Sequence, residues 1–557
     1  MPACQPICLM AIRLTLLTLL CVGMTNPLGQ AHSDSRQPAA VPDAPKKADE
    51  QSEQAKATKQ DKKDKSEEEK KSCDGKGEDK GKALKKDDDS TWPIRPKSAP
   101  APPAKTPVPQ LPPGFGMGGY PTAPQRSDNP ESLQQFIQDS LSVRLRGAGV
   151  TRVYGLLRGD LDFATARFNP DLVNPFFAYP DDSRFRAGSS AVPVKPNDIN
   201  YVLTPRLTRF GVEYYGEPIQ QIGNAVVNGR LEIDFQTGQA AVNQESRELP
   251  RLRSAYLAMT WDEFTLLVGQ DWDIIAPLTP SSNDNSVFWN AGNLGDRRPI
   301  IKFLWAHDLG GERILQVQNA LALGDAVKNP DIDNNGQRDQ ESSGIPGYQG
   351  RLGLMLPSHV EGEKLLAGVW GLLAIERTNG TLPPPPFPIP GQADPKFSQL
   401  TNQRFLARAI GCDLRLPLCP GLTFQGEAWA GQNLGDFRGG VGQGVNFWTG
   451  RPVRAMGGWV ELVCRPVDWY QLAFGTTIDK PNRQDVEGFI QPFFVGFPQG
   501  INREAGITRN WYWYVGNRFF LGGGVTAAIE YLHAETNYVG YHPGRGSIIK
   551  FALMQAF

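Results

Sequence analysis

The chain has 557 residues, 40% hydrophobic and 21% charged, with a formal net charge of −1 and a mean hydropathy of −0.38. No stretch reaches the ~18 to 20 consecutive apolar residues a spanning helix requires, which excludes a polytopic helical membrane protein. Near-zero charge also removes the basic surplus of a dedicated nucleic-acid binder.

In chain order, Arg13 is followed by an apolar run from Leu14 to Val22 and a polar exit ending at Ala31. One basic residue, a run too short to span and a small-residue exit read residues 1–31 as a secretory signal peptide. Leu20 stands before Cys21 where a lipoprotein signal has a small residue, so lipid attachment there is disfavoured. Residues 32–92 follow as a charged Lys/Asp/Glu segment. Between Lys46 and Asp89 it holds 14 Lys and 14 acidic residues, with Leu84 the sole large aliphatic. Such a stretch has no a/d apolar seam for a coiled coil and too little apolar surface to offset chain entropy, so disorder is expected. Residues 93–126 form a Pro-rich linker favouring extended polyproline conformations. The two together make a tether, either a plain spacer or a contact to cell-wall polymer. Residues 127–143 then read as a short amphipathic helix: Asp128-Asn-Pro-Glu131 starts it, and Leu133, Phe136, Ile137 and Leu141 share one face.

Past this point lysine gives way to arginine. From Ser127 to Phe557 there are 31 Arg and 7 Lys against 43 acidic residues, a net of −5. Arginine keeps its charge in any environment and presents a planar fork, which suits the lining of a wet cavity.

Residues 144–557 alternate with period two almost throughout, a pattern helices do not use. Val153, Gly155, Leu157, Leu161 and Phe163 alternate with Arg152, Tyr154, Arg158, Asp160 and Asp162; Leu231, Ile233 and Phe235 alternate with Arg230, Glu232 and Asp234. Sixteen such segments begin near residues 151, 205, 229, 251, 263, 298, 312, 348, 364, 403, 421, 452, 468, 507, 523 and 546. Short turns follow most even-numbered segments, at Trp261-Asp262, Asp308–Gly311, Cys419-Pro420, Arg465-Pro466 and Leu521–Gly524. Long polar loops follow the odd ones, at about 164–203, 272–297, 325–347, 378–402, 435–450 and 480–505. An even count, one-sided long loops and a terminal Phe557 predict an all-β fold: a sixteen-stranded antiparallel transmembrane β-barrel preceded by a disordered N-terminal tether.

Four cysteines remain after the signal: Cys73, Cys412, Cys419 and Cys464. No C-x-x-C or neighbouring His points to zinc. A disulfide between two of the last three suits an oxidising compartment, and the spacing leaves the pairing open.

Several pieces carry a resemblance: Thr208-Arg-Phe-Gly-Val212, Gly229-Arg-Leu-Glu-Ile-Asp-Phe235, Leu252-Arg-Ser-Ala-Tyr256, Leu266-Leu-Val-Gly-Gln-Asp-Trp272, Gly426 to Gly435, Arg509-Asn510 and Phe557. In this order and spacing the chain resembles the DcaP-like outer-membrane porins, trimeric sixteen-stranded members of the general porin group. The resemblance implies a homotrimer and a third external loop folded into the lumen, here Trp272 to Asp296. That loop carries Asp273, Asp284 and Asp296, together with Phe288 and Trp289. Opposite it are expected Arg209, Arg230, Arg251 and Arg253, so that acids and guanidinium groups set up a transverse field across the constriction. The competing reading is that these arginines pair with Glu213, Glu232 and Asp234 to satisfy lumen charge. Which way Arg251 and Arg253 face is left open by the pattern near Tyr256 and Met259.

One loop motif stands apart. Asp331, Asp333, Asn335 and Asp339, with Gly336 at the turn, have the oxygen spacing of a calcium loop. Ser342 stands where a bidentate Glu belongs, so a solvated external loop is the competing reading and no cofactor is otherwise expected. Nucleophile-elbow, zincin and phosphate-loop motifs are missing from the sequence, which speaks against an enzyme. The expectation is a porin in the outer membrane of a Gram-negative-type bacterium, with its tether in the periplasm, passing small anionic solutes. Its partners would be outer-membrane lipid and the solutes, with no nucleic acid. The alternative is a plugged barrel serving as a structural anchor tethered to the cell wall.

Overall fold

The computed structural model describes residues 142–145, 149–181, 199–237, 248–324, 338–379, 402–446, 449–487 and 506–557. The signal, tether and linker, and the helix expected over 127–143 as far as Leu141, lie outside the described residues.

The first eight barrel strands are β1 (Gly149–Ala164), β2 (Asn200–Thr204 continuing as Arg209–Tyr215), β3 (Val226–Thr237), β4 (Leu249–Trp261), β5 (Phe264–Trp272), β6 (Arg297–Gly310), β7 (Arg313–Ala322) and β8 (Gly347–Pro357). The second eight are β9 (Lys364–Arg377), β10 (Arg404–Cys419), β11 (Leu422–Gln432), β12 (Arg454–Val467), β13 (Tyr470–Pro481), β14 (Ile507–Gly522), β15 (Val525–Tyr538) and β16 (Gly544–Ala556). Each pairs antiparallel with the next, and Ile548–Ala556 of β16 pairs with Leu156–Ala164 of β1, closing the barrel. Closure removes the unpaired edges that an open sheet would expose. Ser142–Leu145 adds a short extended segment beside the start of β1.

The alternation seen in the sequence becomes the two faces of the wall. On β1, Val153, Leu157 and Phe163 point outward and are exposed, while Arg158, Asp160 and Asp162 point inward and are buried. The same holds for Leu231 against Glu232 and Asp234, and for Val460 and Leu462 against Glu461. Charge inside and hydrocarbon outside is the reverse of a water-soluble fold, and it matches a wall bathed in lipid. Phe264, Trp305, Trp469 and Phe519 mark the short-turn end of the outer wall, and Trp511, Trp513 and Tyr531 lie toward the other end. These positions suit the two membrane interfaces.

Connections of two residues at 262–263, 311–312, 420–421, 468–469 and 523–524 lie at one end, and the long ones at the other. The turn expected at Arg465-Pro466 is displaced. Strand β12 runs on to Val467 through an irregularity in register between Cys464 and Val467, and the chain turns at Asp468-Trp469. Proline is tolerated at such an irregular edge, so it marks a bulge here and not the turn itself. At this end Cys419 and Cys464, packed in one cluster with Leu422 and Leu472, are disulfide-bonded, whereas Cys412 is free and exposed.

A second bulge resolves the open question on β4. Glu232 pairs with Ser254 but Ile233 pairs with Leu252, leaving Arg253 as an extra residue. The phase of the strand slips there, so Arg251 and Arg253 both reach Asp234 on the inner side while Leu252 stays outward. No uninterrupted period-two reading of Arg251 to Met259 assigns all of these residues to their faces.

Candidate functional site

Strands β1 to β4 carry a continuous charge network on the inner wall. Arg251 donates to Asp234 from Nε at 2.9 Å and from Nη2 at 2.7 Å, a two-pronged contact. Arg253 bridges Glu232 at 2.6 Å and Asp234 at 2.7 Å. Arg230 donates to the other oxygen of Glu232 at 2.6 Å and to the Tyr154 hydroxyl at 2.6 Å, and Tyr154 donates in turn to Glu232 at 2.8 Å. Three guanidinium groups thus share two carboxylates, which leaves a local cationic excess of one.

Segment 273–296, between β5 and β6, touches inner-wall residues from many strands. It leaves β5 with the Ile274 N–H donating to Gln349 of β8 at 2.9 Å. Further along, the Leu278 N–H donates to Glu427 of β11 at 2.7 Å and the Ser281 N–H to Glu461 of β12 at 3.0 Å. The Asn283 N–H donates to Glu530 of β15 at 2.9 Å, and the Asn283 and Ser282 carbonyls accept from Arg158 of β1 and Arg518 of β14, each at 2.8 Å. Asn285 accepts from Arg209 of β2 at 3.5 Å. Phe288 then stacks on Tyr514, with ring centroids 4.8 Å apart. The return limb presses its main chain onto the wall at Gly292, where a Cβ would lie 2.3 Å from the Gly458 carbonyl oxygen; its φ of +131° is open to glycine alone among ordinary residues.

The three loop acids are tied to cations around the segment. Asp273 forms an ion pair with Arg298 at 2.8 Å and accepts from Gln349 at 2.6 Å; Asp284 lies 3.6 Å from Lys550; Asp296 accepts from Arg438 at 2.7 Å. Burial pushes the carboxyl groups of Asp273 and Asp284 above their ordinary values, despite Arg298 and Lys550. At Asp296 burial acts in the same sense, but Arg438 and Arg297 outweigh it and hold the carboxyl below the usual range. Beside it, Trp272 and Trp289 carry guanidinium groups on their faces: Arg297 sits 4.7 Å from the Trp272 centroid and Arg438 4.5 Å from that of Trp289.

Of the residues singled out in the sequence, Arg230, Arg251 and Arg253 come together with Glu232 and Asp234, and Arg209 reaches segment 273–296 through Asn285. Asp273, Asp284 and Asp296 engage Arg298, Lys550 and Arg438. Of the calcium-loop candidates, Asp331, Asp333 and Asn335 lie outside the described residues, and Asp339 is buried at the start of the short helix Asp339–Ser342. The sequence reading gave no site role to Arg158, Arg297, Arg298, Arg438, Arg518 and Lys550, nor to the wall carboxylates Glu427, Glu461 and Glu530. A signal existed for the carboxylates: each occupies the non-lipid phase of its strand, as Glu461 does between Val460 and Leu462.

No known family model matches the chain, and no curated protein sequence matches it. Among solved structures the chain is similar to the outer-membrane channel DcaP of Acinetobacter baumannii, with a TM-score of 0.52 and 13% identity over 74% of this chain and 99% of that one. It also matches an anion-selective porin from Comamonas acidovorans (TM-score 0.41, 9% identity, 73% of this chain and 99% of that one). A third match is Salmonella typhi OmpF in complex with daunomycin (TM-score 0.44, 11% identity, 75% of this chain and 100% of that one). The DcaP likeness shows that the closed sixteen-stranded barrel of this chain shares its fold with that channel.

Proposed function

We propose that this protein is a porin of a Gram-negative-type outer membrane, passing small hydrophilic solutes passively through a water-filled barrel, with its N-terminal tether in the periplasm. The observation that carries the proposal is the inversion of the wall: charged networks such as Arg230–Glu232–Arg253–Asp234 face in while Leu231, Leu257 and Leu252 face out. A sixteen-stranded barrel is wide enough for an aqueous lumen.

In this reading segment 273–296 narrows the lumen, which its contacts to β1, β8, β11, β12 and β15 support. The passage left beside it is lined by Arg230 and Arg251, with the buried Arg209 and Arg253 adding their charge, and the excess of guanidinium over carboxylate favours anionic solutes. The barrel assembles as a homotrimer through β1 to β3. The support is the apolar group Ile199, Tyr201 and Leu203, 78%, 71% and 73% exposed in the single chain, which a second copy would cover. The chain acts by diffusion and not by catalysis.

The plugged-anchor reading draws on the same segment, since Phe288 and two further loop residues, Phe177 and Phe437, are fully buried. Planar-bilayer recording separates the two. Stepwise conductance with a reversal potential set by the anion gradient supports the porin; a silent bilayer with correctly folded protein supports the anchor.

A further inference from the structure

The outer wall carries a hollow at the long-loop end of β8 to β15, of about 1480 Å³. This exceeds the ~300–1,000 Å³ of a pocket for one small molecule. Its floor is apolar: Val369, Leu373, Ile410 and Met456 face outward and are exposed. Gly371 and Ala430, outward positions with almost no side chain, hollow the wall between them.

Its rim is cationic, with Arg408, Arg454, Lys480, Arg483 and Arg509. Arg454 is engaged by Asp485 at 2.7 Å and Arg509 by Glu535. Arg408 has a 3.4 Å contact to the amide of Gln432, and neither it nor Lys480 nor Arg483 has a carboxylate partner among the described residues. Register places the rim in one band. Arg408 pairs with Gln432 and Gln432 with Arg454, so the two arginines stand two strands, about 10 Å, apart. Lys480 sits opposite Met456, one outward step below Arg454. On the other side of the barrel, toward the long-loop end of β2, the outward residues are instead Tyr201 and Leu203.

Five cations against two acids, set directly above exposed hydrocarbon, match an amphiphile with clustered negative charge on its head. We propose that the hollow binds a phosphorylated anionic lipid of the leaflet at the long-loop end. Its acyl chains lie on Val369, Ile410 and Met456, and its phosphates are held by Arg408, Lys480 and Arg483. A second copy of the chain fits less well. The apolar outer wall of β1 to β3 offers these cations no partner, and covering an unpaired charge with protein costs several kcal/mol. The inference needs the barrel to sit in a membrane and does not depend on whether it conducts.

The test uses the full chain in mild detergent, with heat unfolding followed in the presence of bisphosphorylated lipid A, phosphatidylethanolamine or inorganic phosphate. Lipid A is expected to raise the midpoint and the other two to leave it unchanged. The triple variant Arg408→Ala, Lys480→Ala, Arg483→Ala is expected to need at least tenfold more lipid A for the same shift, with single-channel conductance unaltered. Arg483→Glu, which lies beyond the end of β13 and leaves the wall intact, reports the same loss. An equal response to inorganic phosphate, or an undiminished lipid A response in both variants, overturns the proposal. Loss of oligomer in the triple variant with the lipid A response intact assigns the hollow to a second copy instead.

Discussion

Gly155 on β1 and Phe557 at the end of the chain exchange both main-chain hydrogen bonds, the Gly155 N–H donating at 3.0 Å and the Phe557 N–H at 3.1 Å. The Phe557 ring occupies the space a side chain at 155 would take: a Cβ there would meet its Cζ at 2.3 Å. Phe210 packs against the same ring at a centroid distance of 6.4 Å. Gly155→Leu therefore displaces the ring and loosens the seam between β16 and β1, at an expected cost of about 1–3 kcal/mol, typical of overpacking. The readout is the temperature at which the barrel loses its compact migration on a denaturing gel. An unchanged transition would refute the role given to this contact.

Arg253 holds Glu232 and Asp234 at once, so Arg253→Ala leaves two buried carboxylates relying on Arg230 and Arg251 alone. Breaking a buried pair costs up to about 3–5 kcal/mol, and the two remaining arginines reduce that here. The expected results are a barrel destabilised by about 1–3 kcal/mol and a reversal potential shifted toward cations. A variant with unaltered ion preference would remove this residue from the selectivity argument.

Phe288 is buried between Tyr512 and Tyr514, at centroid distances of 6.0 Å and 4.8 Å. Truncation to Ala opens a cavity under segment 273–296, worth about 3–5 kcal/mol for a fully packed ring. Because the segment also hangs from Glu427, Glu461 and Glu530, the fold is expected to survive while the open-channel current becomes larger and noisier. A quiet current of ordinary size would show that the aromatic stack does not hold the segment in place.

Asp296 joins segment 273–296 to Arg438 on the loop after β11, and those charges keep its carboxyl below the ordinary value of 3.8 despite burial. A folded value below the unfolded one means the clasp contributes its full stability above about pH 4 and loses it as pH falls through the lower folded value. Closures of the open channel should rise on acidification through that window. Asp296→Asn should show the acid behaviour already at pH 7, and a flat pH response in the unmodified protein would count against the clasp.

Cys419 and Cys464 tie β10 to β12 at the short-turn end. Replacing both by Ser is expected to lower stability by about 2–4 kcal/mol, the usual worth of a native bridge, with conductance unchanged because the cluster lies away from segment 273–296. Equal stability with and without reductant would argue that the sheet alone holds this end.

The strands were legible because every one of them must show lipid a hydrocarbon face, so the period-two signal repeats sixteen times and each expected start falls within five residues of an observed one. Legibility failed where the period slips. At Arg253 an extra residue reverses the phase, and at Arg465-Pro466 a proline marks a bulge inside β12. It also failed for charge partners. Lys550 and Asp162 are separated by 388 residues and meet because the last strand closes on the first. Arg298 and Asp436 meet because the loop after β11 bends over the start of β6. Face is a local property of a strand, whereas pairing inside a closed cylinder depends on the whole circuit.

Glu427, Glu461 and Glu530 hold segment 273–296 through the amide hydrogens of Leu278, Ser281 and Asn283. A carboxylate gripping an amide is indifferent to what the gripped residue carries beyond its Cα. The wall specifies a path and leaves much of the decoration along that path unspecified. Asn283 is the exception, since its buried side chain also accepts from Arg518 at 3.1 Å. At the partly buried Leu278 a new side chain can be installed without redesigning the scaffold, and solute preference becomes a trait that substitution can adjust while the architecture stays as it is.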